Sequence, residues 1–290
     1  MKKHIPWLIV LAVLVGAAAL FYHSRLGQQQ APPPPPPAAK APAAPPSAPA
    51  AGPGKESATP LVRYPLSKPE PGNGANQTGH GASKGKPLPP LDDSDGMLDQ
   101  ALFDLFGHKA VESLFRLKSI ARHVAVTVDD LPRAKLPQRY MPTKPVAGRF
   151  LVTGEAGDYA ISPDNYRRYT PYVRLLEDVN IKDLVSVYVR FYPLLQEAYR
   201  DLGYPTGYFN DRLMEAIDNL LATPDVKGPV KLVQPNVLYK FANPKLEALS
   251  AGQKILIRMG PRNEARVKAR LRVLRKALLA QVSDTGHRNP

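Results

Sequence analysis

No cysteine occurs in the 290 residues. Disulfides, thiolate metal sites, cysteine nucleophiles and a lipid-modified cysteine are therefore all excluded. Tryptophan occurs once. Histidine is scarce where chemistry would need it: residues 91–284 hold only His108 and His123. Neither stands in an H-x-x-x-H or comparable ligand spacing, so each reads as a surface or helix-face residue. No metal and no cofactor are expected. There is no G-x-S-x-G elbow. The stretch "HGASKGKP" fails as a phosphate-cradling loop, because His80 stands where its first glycine is needed and Pro87 replaces the serine or threonine. Asn76-Gln77-Thr78 matches a glycosylation sequon, a pattern of low specificity.

What the chain has in excess is proline, 33 residues, and basic charge, a formal +14. After a tail of residues 1–4 comes Ile5 to Tyr22, eighteen residues without a charge. That length is near the lower limit for a helix across a hydrocarbon core of about 30 Å. Trp7, Phe21 and Tyr22 suit the two interfaces, and Lys2 and Lys3 keep the tail in the cytoplasm. The reading is a transmembrane signal anchor; the competing one is a cleaved signal peptide. Residues 23–90 follow as a linker. Eighteen prolines lie between Pro32 and Pro90, beginning with an unbroken run from Pro32 to Pro37. Proline removes the amide donor and fixes φ, so the stretch is expected to be a disordered, extended spacer. A PxxP-type ligand for an aromatic groove is the alternative.

Residues 91–284 are read as one globular domain, mainly α with a few short extended segments, and 285–290 as a flexible tail. Ser94-Asp95 opens a helix with Leu98, Leu102, Leu105 and Phe106 on one stripe. A second helix is expected from Val111 to about Asp130, stopped by Leu131-Pro132. A short strand is possible at "RFLVT". Ser162-Pro163 is an N-cap followed by proline at the first helical position, and Pro171 is expected to bend that helix. Asn180 starts another, with Leu184, Tyr188, Phe191 and Leu195 on its apolar face and a kink at Pro193. Ser250 and Gln253 form a capping box. The last helix is expected from Pro261 to Val282. Short extended pieces cover Val230 to Val233 and Val237 to Phe241.

Between two of these helices lies "YPTGYFNDRL", Tyr204 to Leu213. Gly203 fits a left-handed helix end, Pro205 prevents continuation, and Asn210 or Thr206 can cap the next helix. The corner explains the residues without a ligand. The functional reading uses the same ones: Tyr204 and Tyr208 as an aromatic lip beside Asn210, Asp211 and Arg212, with Arg167 and Arg168 approaching, to grip a sugar or peptide. Carboxylates add an enzyme alternative. Glu197 and Asp201 are one turn apart, and Asp211, Glu215 and Asp218 share a face. Two such faces meeting at a corner would suit an acid–base pair for glycan or peptide hydrolysis. The competing reading is two solvated faces.

Charge is localised. Residues 91–290 hold 30 Lys plus Arg against 23 Asp plus Glu, a net of +7, while residues 254–276 hold nine against one, a net of +8. The excess is therefore Lys254, Arg258, Arg262, Arg266, Lys268, Arg270, Arg272, Arg275 and Lys276. Val267, Leu271, Leu274 and Leu278 form the stripe that docks this helix. The basic residues either pair with nearby acids or form a patch for an anionic partner: an envelope protein, anionic lipid or cell-wall carboxylates. Nucleic acid fits the charge but not an exported address.

The segments "NYRRYTPYV", "YVRFYPLLQEAYRDLGYPTGYFNDRLMEAIDNLLATP" and "LSAGQKILIRMGPRNEARVKARLRVLR" resemble the bacterial family catalogued as domain of unknown function 3014. The resemblance spans most of Leu91 to Ala280. It extends to the layout of short tail, anchor, proline-rich spacer and C-terminal domain, and it transfers no catalytic residue. The expectation is a single-pass inner-membrane protein with its N-terminus cytoplasmic, presenting a helical binding or scaffold domain in the periplasm. The alternative is a cell-envelope hydrolase using the carboxylate-rich corner.

Overall fold

The computed structural model describes residues 62–66 and 87–282. A 3-10 turn at Leu91–Asp93 leads into α1 (Asp95–Phe106), α2 (His108–Leu114) and α3 (Ile120–Asp130). The single helix expected over 111–130 is thus two. Phe115 is extended and forms an isolated antiparallel bridge with Thr143, and Ser119 has φ 53°. A left-handed residue without glycine costs about 1–2 kcal/mol. The compensation comes from α1: the Asp95 carboxylate accepts the Ser119 N–H at 2.7 Å and the Ile120 N–H at 3.1 Å. A tertiary carboxylate therefore caps α3, satisfying orphan donors at its positive end.

One turn on, Asp99 sits with Oδ1 buried and unbonded among the described residues. Burial, then the neighbouring Asp95 charge, push its pKa up to about 6. A raised carboxyl contributes stability that is present below its unfolded pKa and lost as pH rises through the folded one. Asp99→Asn is therefore expected to stabilise the domain at pH 7.5 by about 1 kcal/mol, allowing for screening at a partly exposed site. The gain should vanish near pH 4. Thermal unfolding of both proteins at the two pH values checks it; an equal difference at both would remove Asp99 titration as the cause.

The chain continues through a 3-10 turn (Gln138–Tyr140), β1 (Val152–Thr153), β2 (Ala160–Ile161), α4 (Pro163–Arg167), α5 (Thr170–Asp178), α6 (Ile181–Asp201) and α7 (Phe209–Leu221). Then come β3 (Leu232–Val233), β4 (Lys240–Phe241), α8 (Pro244–Glu247), α9 (Ala251–Met259) and α10 (Pro261–Leu279). The last helix stops three residues short of the expected Val282. Pro171 does not bend a helix but opens α5, where its missing N–H removes no intrahelical bond. Pro193 lies within α6, which runs without interruption to Asp201. The expected caps at Ser162, Asn180 and Ser250 are all made, the last as a reciprocal box with Gln253.

Two small antiparallel hairpins, Val152 opposite Ile161 and Leu232 opposite Phe241, are joined by a bridge between Ala160 and Lys231. They cover a minor cluster of Ile161, Val230, Leu232, Phe241 and Ile257. The main core lies among α3, α5, α6, α7, α9 and α10. The apolar face of α6 (Leu184, Tyr188, Phe191, Leu195) and the stripe of α10 (Val267, Leu271, Leu274, Leu278) are both buried in it. The N-terminus of α9 abuts the end of α3: Ala251 and Gly252 donate their N–H groups to the carbonyls of Arg133 and Leu131, at 2.6 and 2.9 Å. Opposed helix ends satisfy each other's orphan groups in this way.

Among the described residues no helix is long and apolar enough to cross a membrane. The run Ile5–Tyr22, most of the spacer and the tail at 285–290 lie outside the described residues. Residues 62–66, placed by sequence inside a disordered linker ending at 90, are seated on the folded domain. A boundary at 91 leaves them out.

Candidate functional site

The corner between α6 and α7 is built as a turn. Gly203 has φ 100°, and the chain re-enters a helix at Phe209. The cap is neither Asn210 nor Thr206. Tyr208 occupies the N-cap position without a side-chain capping bond. Gln196 of α6 does the work from outside: its Oε1 accepts the Phe209 N–H at 2.9 Å and its Nε2 donates to the Gly207 carbonyl at 2.8 Å. This frees Asn210 and Asp211 for other partners.

Those partners are the backbone of residues 63–66. Asp211 accepts the N–H of Arg63 at 3.0 Å and of Tyr64 at 2.8 Å, one on each carboxylate oxygen. Asn210 Nδ2 donates to the Tyr64 carbonyl at 2.8 Å. The Tyr208 hydroxyl accepts the Leu66 N–H at 2.9 Å, and Leu66 makes an antiparallel bridge to Val282 just beyond α10. Pro65 has no N–H to place. Every backbone donor from 63 to 66 is accounted for by two residues, Asp211 and Tyr208.

The amide of Asn210 is held in that sense from below. Asn210 is fully buried, and the Tyr188 hydroxyl donates to its Oδ1 at 2.8 Å, which leaves Nδ2 facing the segment. Burial foremost, then Tyr192, Tyr208 and Asp211 nearby, raise the Tyr188 pKa well above its ordinary value. The Tyr188 hydroxyl therefore stays protonated. Tyr192, raised by burial and by Tyr208, donates to Gln196 Oε1 at 2.8 Å.

The other expected site residues go elsewhere. Tyr204 and Tyr208 do not form one lip: Tyr204 stacks on Tyr199 at 4.8 Å, whereas Tyr208 leans on Tyr192 at 5.6 Å. Arg212 turns inward to Asp129 at 3.0 Å and to Glu215 at 2.7 Å. Asp129 also receives Arg133 at 2.9 Å and the Tyr204 hydroxyl at 3.2 Å. This network forms one wall of a polar cleft of about 580 Å³ that also takes in Arg122, His123, Asp130 and Asp201. Burial, then the Arg116 charge, lower the His123 pKa, and burial, then Asp129, raise that of Asp130. Arg168 binds the carbonyls of Ala147 and Gly148 and the Asn165 side chain. Arg167 pairs with Asp164 on the surface. Neither bonds to a corner residue.

The basic residues of 254–276 are not one free face. Lys254 reaches Glu247, and the Arg258 guanidinium lies over the Phe241 ring at 4.8 Å. Arg266 makes a two-pronged pair with Glu177, and Arg275 another with Asp218. Arg270 donates to the Leu176 and Val179 carbonyls at the C-terminal end of α5, where a cation suits the dipole. Lys268 is buried between Glu264 and Asp225. Arg262, Arg272 and Lys276 are exposed and make no ion pair with the described residues. Among the described residues no cluster of His, Asp and Glu is arranged to hold a metal. An apolar cavity of about 70 Å³ lies in the main core between Leu102, Phe115, Phe191 and Leu274; that is far below the 300–1,000 Å³ of usual ligand pockets.

Sequence reasoning missed the docked segment and the supporting Gln196, Tyr188 and Asp129. One signal was present: between Gly27 and Pro87 the only large apolar residues are Leu61, Val62, Tyr64 and Leu66. Neither a curated protein nor a solved structure matches the chain. Residues 120–275, more than half of the chain, match the family described as protein of unknown function (DUF3014); α3 to most of α10, the corner included, carry that match, and the chain belongs to this family.

Proposed function

We propose that this chain is a binding or scaffold module of the bacterial cell envelope. The apolar run at 5–22 anchors it in the inner membrane, and the proline-rich arm presents the helical domain in the periplasm. The observation that carries the reading is the grip of Tyr208, Asn210 and Asp211 on the backbone of residues 63–66. Side chains that read N–H and C=O groups in series are the equipment of peptide recognition. Four of the five carboxylates considered for hydrolysis support it from the other side, and the fifth, Glu197, is exposed to solvent. Asp201 is paired with Arg122, Asp211 with two amides, Glu215 with Arg212 and Asp218 with Arg275. The exposed Arg262, Arg272 and Lys276 are left for an anionic lipid, cell-wall or acidic protein surface.

The test is a photo-crosslinker at the exposed position 206, beside the grip, of the full chain in intact cells. A discrete envelope polypeptide should be captured, and Asp211→Ala should abolish the capture. Glycan fragments captured instead, together with turnover of purified cell wall, would replace this reading with the hydrolase.

A further inference from the structure

We propose that the seat formed by Tyr208, Asn210 and Asp211 binds short peptides in trans, of the form aromatic–Pro–aliphatic, and that Val62–Leu66 is its intramolecular competitor. This rests on the reading of the chain as a binding module and names the partner and control of that module's site.

The chemistry of the partner follows from what the seat touches. Its four hydrogen bonds go to the main chain alone, so they carry affinity and direction but not sequence. Sequence enters through Tyr64 and Leu66, two positions apart, which pack against the main core. Between them proline brings no donor that would need an acceptor, and its fixed φ lowers the entropy lost on ordering. Val62 and Arg63 are exposed and contribute little selection. A charged residue at the Leu66 position would be set against the apolar surface on which Leu66 packs.

The seat is separable from the fold. Residues 62–66 belong to no helix or named strand, and among the described residues their only ladder contact is the bridge to Val282. Asn210 is ordered from the core side by Tyr188, and Phe209 by Gln196. The seat is therefore preorganised by bonds that do not involve its occupant. Releasing the segment exposes two acceptors, Asp211 and Tyr208, and one donor, Asn210, set in line. Because it belongs to the same chain, the segment competes at an effective concentration taken as about millimolar. For an intrinsic dissociation constant of about 10 μM, the apparent affinity of a competing peptide drops roughly 100-fold.

The experiment uses the full chain in detergent and a fluorescent peptide copying residues 56–68, read by anisotropy. The native chain is compared with an opened chain, Tyr64→Ser plus Leu66→Ser. A second opened chain, with 62–66 replaced by Gly-Ser-Gly-Ser-Gly, guards against a folding artefact, and circular dichroism checks both. The peptide is expected to bind the opened chains at least tenfold more tightly than the native one. Asp211→Ala in the opened background should lose at least tenfold, and a peptide with serine at its Tyr64 and Leu66 positions should not bind. Equal binding to native and opened chains would overturn the competition but leave a peptide-binding module. Binding of the serine peptide as well as the parent would overturn the stated partner chemistry. No binding to any folded chain would overturn both this inference and the module on which it rests.

Discussion

Replacing Lys268 with methionine is expected to destabilise the domain by about 3–5 kcal/mol at pH 7.5, the usual consequence of removing one partner of a buried ion pair. The Lys268 side chain is 7% exposed and that of Glu264 5%. Their charged atoms lie 2.6 Å apart, and the ammonium also reaches the Thr223 carbonyl at 2.6 Å and Asp225 at 2.8 Å. Desolvation pulls the Lys268 pKa down, but the hydrogen bonds to Asp225 and Glu264 outweigh it and leave it raised. Burial is the foremost influence on Glu264 and leaves its pKa raised despite Lys268. Without the lysine that carboxyl has lost its only cation among the described residues. Its pKa then rises further, and stability present at low pH is lost as pH rises through it. The deficit of the variant should shrink towards pH 5. Glu264→Gln added to Lys268→Met should recover most of the loss, because the uncompensated charge is gone. Chemical denaturation of the three proteins at pH 5 and 7.5 checks this. A single variant as stable as the native chain at both pH values would return Lys268 to the pool of surface cations available to an anionic partner.

That case shows where sequence reading stops. A period of 3.6 and the end signals at Ser162, Asn180, Ser250 and Gln253 are local, and the helices they predict are present. The stripe Val267–Leu278 was legible because burial of one helix face needs no knowledge of the neighbour. What a basic residue does depends on which acid the fold brings to it. Arg266 meets Glu177 across the core, and Arg275 meets Asp218 from another helix. The break at Ser119 was hidden for the same reason, since its stabilising carboxylate comes from Asp95. At the corner, Gly203 and the turn were readable. The cap was not, because Gln196 supplies it from the preceding helix and releases Asn210. The docked segment combined both difficulties: its proline content argues for an open linker, and the acceptors that order it lie about 150 residues along the chain. The clue that remained was its isolated apolar content, Leu61 to Leu66, in a stretch otherwise poor in large apolar side chains.

The second large effect is expected at Gly260, the hinge between α9 and α10. Gly260→Ala should lower stability by about 3 kcal/mol, from two sources that add. The residue has φ 84°, where an L side chain is strained by about 1–2 kcal/mol. A Cβ there would also stand 2.4–2.7 Å from Cγ, Cδ1 and Cδ2 of Tyr166. These are the near atoms of the ring, so no flexible tip can swing aside, and overpacking of this kind costs about 1–3 kcal/mol. Nor is the ring free to leave, because its own backbone is held: the Tyr166 carbonyl accepts from Asn263 Nδ2 at 2.9 Å, and the same nitrogen donates to the Met259 carbonyl at 3.0 Å. Displacing Tyr166 therefore disturbs the start of α10 as well as the end of α9. Two variants separate the contributions. Tyr166→Ala added to Gly260→Ala removes the overlap and should recover only the packing part, relative to Tyr166→Ala alone. D-alanine at 260, introduced by ligation of a synthetic C-terminal segment, accepts the positive φ but moves its Cβ away from the L position, and should recover the backbone part. Thermal melts of the set give both numbers. If Gly260→Ala melts within a degree of the native chain, the α9–α10 junction has slack that neither the dihedral angle nor the ring contact allows.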